Sequence, residues 1–190
     1  PNYIVGHSNG NLYFTNPSGR VDPSEREIDF AGVHCIAPDG TVTAVVTNTM
    51  YPNGLAFSPD ERTLYVANTR KDNDCQQEKE RGEVCTHQFI NAYDIAPDGT
   101  ASSGRLFANM HSAEDGVPDG MKVDMEGRVY CTGPEGVWVF DSQGNHLGII
   151  RLTEIPANCA WGGPDNRTMF FTARHSIFTM LMKIPGTPIP

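Results

Sequence analysis

Positive charge is the scarcest resource in this sequence. Its 190 residues hold 14 Lys and Arg against 23 Asp and Glu, a formal net charge of −9. Nucleic acids and anionic membrane surfaces need a basic footprint, so no nucleic-acid partner and no membrane partner is expected. Long apolar runs are also missing, since nothing approaches the roughly 18–20 residues of a membrane-spanning helix. No secretory leader stands at the start. The chain opens on Pro1, one residue before a repeat's first polar position, and so reads as beginning inside a fold. There is no C-x-x-C pair and no Cys/His zinc spacing. A G-x-S-x-G elbow, which would support Ser-His-Asp catalysis, is absent. Glycine-rich phosphate loops are absent too.

Cysteine is sparse and irregular. Cys35, Cys131 and Cys159 sit in apolar runs and are expected as small buried hydrophobes. Cys75 and Cys85 lie in a polar, charged insertion, where a loop-closing disulfide is open but not required. An odd count without a framework favours a reducing compartment, and a cytoplasmic location is the expectation.

What the chain does have is turns, with 19 Gly and 14 Pro, and enough apolar residues (38%) for a lean core built from short strands. It also has a repeat. PDGMKVDMEGRVYCTGP, from Pro118 to Pro134, places a carboxylate in a turn, then an alternating strand, a Glu-Gly turn and a second strand. The same pattern recurs in PNYIVGHSNGNLYFTNP, PNGLAFSPDERTLYVANT and ANCAWGGPDNRTMFFTAR. The polar openers are Asn2, Asn53, Asp119 and Asn158, spaced 51, 66 and 39 residues apart. A strand-only repeat of roughly 40–50 residues marks a β-propeller.

Each repeat divides into strands a to d. The first gives Tyr3–Gly6, Leu12–Thr15, Val33–Ala37 and Thr41–Val46. The second gives Leu55–Ser58, Leu64–Ala67, Asn91–Ala96 and Arg105–Ala108. The third gives Met121–Asp124, Val129–Thr132, Gly136–Phe140 and Leu147–Leu152. The fourth gives Cys159–Trp161, Met169–Thr172 and Ile177–Lys183, then runs out in PGTPIP without a strand d. The whole of 1–190 is expected to be one propeller domain of about three and a half to four blades. Propellers carry roughly 4–8, and an open stack exposes sheet edges. Further blades are therefore expected, most simply before Pro1.

Because strands alternate in direction, the d→a and b→c connections share one face. Strand a is innermost, so all four Asx openers converge at the channel mouth on that face, under the long loops 16–30 and 68–88. Function is expected there. Asx oxygens at a channel mouth suit a hard divalent cation. The competing reading is that Asn53-Gly54 and Asp119-Gly120 are ordinary Asx turns at strand entries. Their shared phase favours a site. The c→d turn residues Asp39 and Asp98 are assigned to turn chemistry alone. The six histidines share no spacing. His111 and Asp115, and Arg174 with His175, are secondary candidates for substrate contact on the same face.

PNGLAFSPDERTLYVANT, PDGMKVDMEGRVYCTGPEGVWVFD and NCAWGGPDNRTMFFTAR closely resemble the SMP-30/gluconolactonase/regucalcin (senescence marker protein) family, over essentially the whole chain. The resemblance implies a six-bladed all-β propeller with one divalent cation in the channel, most often calcium, with zinc, magnesium or manganese as alternatives. It implies hydrolysis of a small sugar lactone. Asn53 and Asp119 fall on metal ligands of the family, and Asn2 on a substrate or metal contact. Asp119 is the candidate for activating water. The family's remaining Glu ligand and a substrate-binding Arg would lie before Pro1, since six blades of about 45 residues need about 270. Tyr3 departs from the family, which often has Asp there. The segment from Cys75 to Cys85 is expected either to act as a size-selecting lid or to be a plain surface insertion. A non-catalytic ligand- or protein-binding propeller, and a related propeller esterase or phosphotriesterase, stay open beside the lactonase, as does a homo-oligomer.

Overall fold

The period-two alternation of the sequence becomes four antiparallel meanders. The computed structural model describes residues 1–17, 22–69, 80–82 and 88–190. The first sheet holds β1 (Ile4–Gly6), β2 (Leu12–Asn16), β3 (Ala31–Ile36) and β4 (Val42–Thr49). The second holds β5 (Pro52–Phe57), β6 (Thr63–Asn68), β7 (Phe89–Asp94) and β8 (Arg105–Asn109). The third holds β9 (Met121–Val123), β10 (Val129–Gly133), β11 (Gly136–Phe140) and β12 (His146–Arg151). The fourth holds β13 (Pro156–Gly162), β14 (Thr168–Ala173) and β15 (Ile177–Leu181). Within every sheet the strands pair in chain order. Each sheet is a propeller blade, and the inner strands follow one another around the channel, β5 against β1, β9 against β5 and β13 against β9.

Polar turns reverse the chain where the sequence places them. The carboxylates of Asp39 and Asp98 accept the backbone N–H of Thr41 (2.9 Å) and Thr100 (3.0 Å). The Thr41 N–H bond holds the Asp39 carboxyl below its ordinary range, and the Thr100 hydroxyl (2.7 Å) followed by the Thr100 N–H does the same for Asp98, so both residues are turn formers as expected.

A separate core fills each space between neighbouring blades. Tyr13, Val33, Leu55 and Leu64 pack between the first and second blades. Ile90, Met121, Val129 and Phe140 pack between the second and third. Tyr130, Val137, Met169 and Phe171 pack between the third and fourth. The alternation serves both sides of a blade at once: in β10, Val129 and Cys131 face the second blade, while Tyr130 faces the fourth. Burying each large side chain contributes roughly 1.5–3 kcal/mol. Cys35, Cys131 and Cys159, one in each core, are buried and free. Burial pushes all three thiols up, that of Cys159 to about 11, so none is a nucleophile at neutral pH. Cys75 and Cys85, and with them the lid expectation, lie outside the described residues.

Two features depart from the sequence reading. β5 and β13 begin at Pro52 and Pro156, earlier than alternation suggests, because each carries a register shift just after its first residue. Asn53 falls within the first of these irregular stretches and Asn158 ends the second. A bulge puts an extra residue out of phase and re-aims its side chain. The Pro/Gly-rich tail is also better ordered than a strandless ending implies. Met125 N–H donates to the Pro185 carbonyl (3.0 Å), and Thr187 N–H to that of Val123 (3.1 Å). The tail thus lies along the end of β9 remote from Asp119.

Candidate active site at the strand openings

Four polar residues open the four inner strands. In the first and third blades the backbone geometry repeats: Asn2 N–H donates to the Thr15 carbonyl (2.8 Å) and Asp119 N–H to that of Thr132 (3.0 Å). Neighbouring openers abut. The side-chain amide of Asn2 donates from Nδ2 to Asn53 Oδ1 at 2.6 Å. A Cβ on Gly54 would overlap the Asp119 carbonyl oxygen, and a Cβ on Gly120 would overlap the side-chain oxygen of Asn158. The glycines after Asn53 and Asp119 thus let the next blade's opener come into contact. Asn2, Asn53, Asp119 and Asn158 therefore form one contiguous arc, in blade order.

A threonine at or just past the end of strand b supports the opening of the second, third and fourth blades, and the sequence reading missed it. Thr15 Oγ1 donates to the Asn53 carbonyl (2.9 Å). Thr69 Oγ1 donates to the Pro118 carbonyl. Thr132 Oγ1 donates to the Ala157 carbonyl (3.1 Å) and contacts that of Gly120 (3.2 Å). Each hydroxyl crosses to the blade that follows. All three side chains are fully buried. Thr172, in the fourth blade, bonds within its own blade, to the Asn158 carbonyl on β13 (3.4 Å). The signal was available in part, because Thr15, Thr132 and Thr172 stand at one point of their repeats, while Thr69 lies two residues beyond the corresponding Ala67.

Asn53 is buried, and its Nδ2 donates to Thr69 Oγ1 (3.3 Å). Tyr3, next to Asn2, crosses the channel. Its hydroxyl lies 3.0 Å from Asn158 Oδ1 and 3.3 Å from the Met121 carbonyl. Lys122 donates to the same hydroxyl and to Met121 O (3.0 Å), with its ammonium 4.7 Å from the Tyr3 ring centroid. A cavity of about 410 Å³ continues the channel beyond Lys122, between Ile4, Leu55, Phe57 and Val123, and is capped by Pro188–Pro190. Its lining is mostly apolar, with Glu61 and Lys122 as its charged residues and no strand opener among them, so the polar arc is taken as the candidate site.

His175 offers its backbone N–H to Glu154 (2.8 Å). Asp115 lines a small acidic recess with Glu114, Glu135 and Glu154. His111 has a buried Nε2 without a hydrogen-bond partner. The second carboxylate of the β9 hairpin, Asp124, is fully buried at the opposite end and is structural. It accepts from the backbone of Glu126 and Arg128, from Arg128 Nε (2.9 Å) and from the Tyr130 hydroxyl (3.1 Å). Burial, with the Asp124 charge beside it, pushes the Tyr130 phenol up to about 12.

Asn2, Asn53 and Asp119 offer hard oxygen donors, a carboxylate and two amides, which fit calcium or magnesium rather than a soft metal. Among the described residues no three His, Cys, Asp or Glu side chains cluster around a point. A cation held at this arc would need further oxygen ligands beyond these three residues.

This architecture has known relatives. Residues 1–175 match the family model described as the SMP-30/Gluconolactonase/LRE-like region. A gluconolactonase of Zymomonas mobilis is 29% identical over 197 residues, covering 98% of this chain and 51% of its own length. A pentonolactonase of Haloferax volcanii is 32% identical, covering 85% of this chain and 52% of its own. The solved structure of a Xanthomonas campestris gluconolactonase, 30% identical, superposes with a TM-score of 0.73 over 96% of this chain and 56% of that one. The chain spans about half the length of the curated relatives it matches. With its repeats, blades and Asx arc, the chain belongs to the SMP-30/gluconolactonase/LRE-like family.

Proposed function

We propose that this chain belongs to a metal-dependent hydrolase that opens a small sugar lactone, and that the Asx arc is its active site. The observation that carries the reading is the contact between consecutive strand openers, Asn2 with Asn53 and Asn53-Gly54 with Asp119, in a chain of a family whose named members include lactonases. Asn53 and Asp119 would hold a divalent cation, most simply calcium, through an amide and a carboxylate oxygen. When bound, such a cation supplies Lewis acidity toward an ester carbonyl. Asp119, the carboxylate of the arc, takes a proton from the attacking water as general base. Asn2 orients the substrate from the rim. Water adds to the acyl carbon, the ring C–O bond breaks, and the ring oxygen leaves as a hydroxyl, giving the hydroxy acid.

The test is proton release from glucono-δ-lactone with calcium and with a chelator. Cation-dependent release above the spontaneous rate, lost in Asp119→Ala, supports the reading. A folded protein that releases no protons faster than buffer overturns it. Calcium binding without turnover would instead support a ligand-binding propeller, the reading favoured by an arc with Asp119 as its carboxylate between amides.

A further inference from the structure

We infer that Asn158 presents its amide N–H₂, not its oxygen, to the active site, and that it is a hydrogen-bond donor to the substrate held in that orientation by Tyr3 and Lys122. The inference rests on the lactonase reading above and extends it to a residue that reading does not use.

The argument starts from the oxygen. Asn158 Oδ1 accepts from the Tyr3 hydroxyl (3.0 Å) and from the Cys159 backbone N–H (2.8 Å). Two donors use both lone pairs of an amide oxygen. The Tyr3 hydroxyl takes a hydrogen bond from Lys122, and of the two acceptors within reach of its own proton Asn158 Oδ1 (3.0 Å) is nearer than the Met121 carbonyl (3.3 Å). Lys122 is anchored by the Met121 carbonyl (3.0 Å) and by the Tyr3 ring. The chain of donors runs one way, from Lys122 through Tyr3 to Asn158. An amide is planar, so fixing its oxygen also fixes its nitrogen on the other side. Asn158 Nδ2 makes no hydrogen bond among the described residues, while the group packs against Gly120, one residue from Asp119.

The consequence separates Asn158 from the other openers. An oxygen with both lone pairs filled is a poor cation ligand. An unpaired N–H₂ on the opener that packs against Gly120, the residue after Asp119, suits an oxygen of the lactone, either its hydroxyls or the carbonyl oxygen as charge develops there. Loss of one such donor typically costs about 10²–10³ in kcat when it faces an oxyanion.

Four variants test this: Asn158→Ala, Asn158→Asp, Tyr3→Phe and Lys122→Met, with thermal melting to confirm folding. Calcium affinity is read by calorimetry and lactone hydrolysis by proton release. The expected result is that Asn158→Ala keeps calcium affinity within about threefold while kcat/KM falls at least tenfold. Asn158→Asp, which cannot donate, is expected to be no better. Tyr3→Phe and Lys122→Met are expected to fall between wild type and Asn158→Ala, because the amide is then free to rotate. Calcium binding weakened in Asn158→Ala as much as in Asp119→Ala overturns the inference in favour of an oxygen ligand. Unchanged hydrolysis in a folded Asn158→Ala overturns it while leaving the lactonase reading intact. A wild-type protein that neither hydrolyses the lactone nor binds gluconolactam, its non-hydrolysable amide analogue, overturns both.

Discussion

Asn2 Nδ2 donates to Asn53 Oδ1 across 2.6 Å, joining the opening residues of two consecutive blades that stand 51 positions apart in the sequence. The contact ties the arc together at its first step, and it leaves Asn53 Oδ1 with one further lone pair. Replacing Asn2 by Ala is expected to leave the fold intact, since Asn2 is exposed at the rim. It is expected to raise KM for the lactone more than it lowers kcat, as steady-state kinetics would show.

Asp119 and Asp124 lie at opposite ends of one inner strand and should behave oppositely. Asp124 is fully buried and paired with Arg128. Removing one partner of a buried pair costs about 3–5 kcal/mol. Asp124→Asn is therefore expected to unfold at clearly lower denaturant while whatever remains folded binds calcium normally. Asp119→Asn is expected to lose cation binding with a much smaller change in stability. Chemical denaturation and calorimetry on both variants distinguish the two.

The threonine ties give a third prediction. Thr132→Val keeps the side-chain shape but removes the hydroxyl that reaches Ala157 and Gly120. A lost buried hydrogen bond that strands its acceptor costs about 1–3 kcal/mol. The third and fourth blades should also separate more readily, visible as faster amide exchange around Ala157 and Gly120.

The fourth concerns pH. His34 is buried between the rings of Phe14 and Phe30, at 5.2 and 5.6 Å, and its Nδ1 has no hydrogen-bond partner. Burial lowers its pKa below the usual histidine value near 6.5. Below that value the unfolded chain takes up a proton that the folded chain resists. Stability is therefore expected to be full above about pH 6.5 and to be lost as pH falls through the depressed folded value. His34→Phe should flatten this part of the stability profile, as melts between pH 7 and 5 would reveal.

Much of this was legible in the sequence. All fifteen strands follow from alternation and Pro/Gly turns, and the common phase of Asn2, Asn53, Asp119 and Asn158 places them at one face before any coordinates. The starts of β5 and β13 were not legible, because a bulge breaks the period-two signal where the Asx sits. The roles of Tyr3 and Lys122 were not legible either. Both depend on a hydrogen bond between residues 119 positions apart, for which local pattern carries no information. The threonines were visible as a repeated letter, but their meaning, a hydroxyl crossing to the next blade, exists only once blades are packed.

The measurement that bears most directly on the account is a calorimetric titration of calcium into the wild-type protein and into Asp119→Ala. Micromolar binding to one site, abolished in a variant that melts like wild type, is the predicted result. A folded wild-type protein that takes up no calcium, or an Asp119→Ala variant that binds it equally well, would contradict the assignment of the Asx arc as the active site.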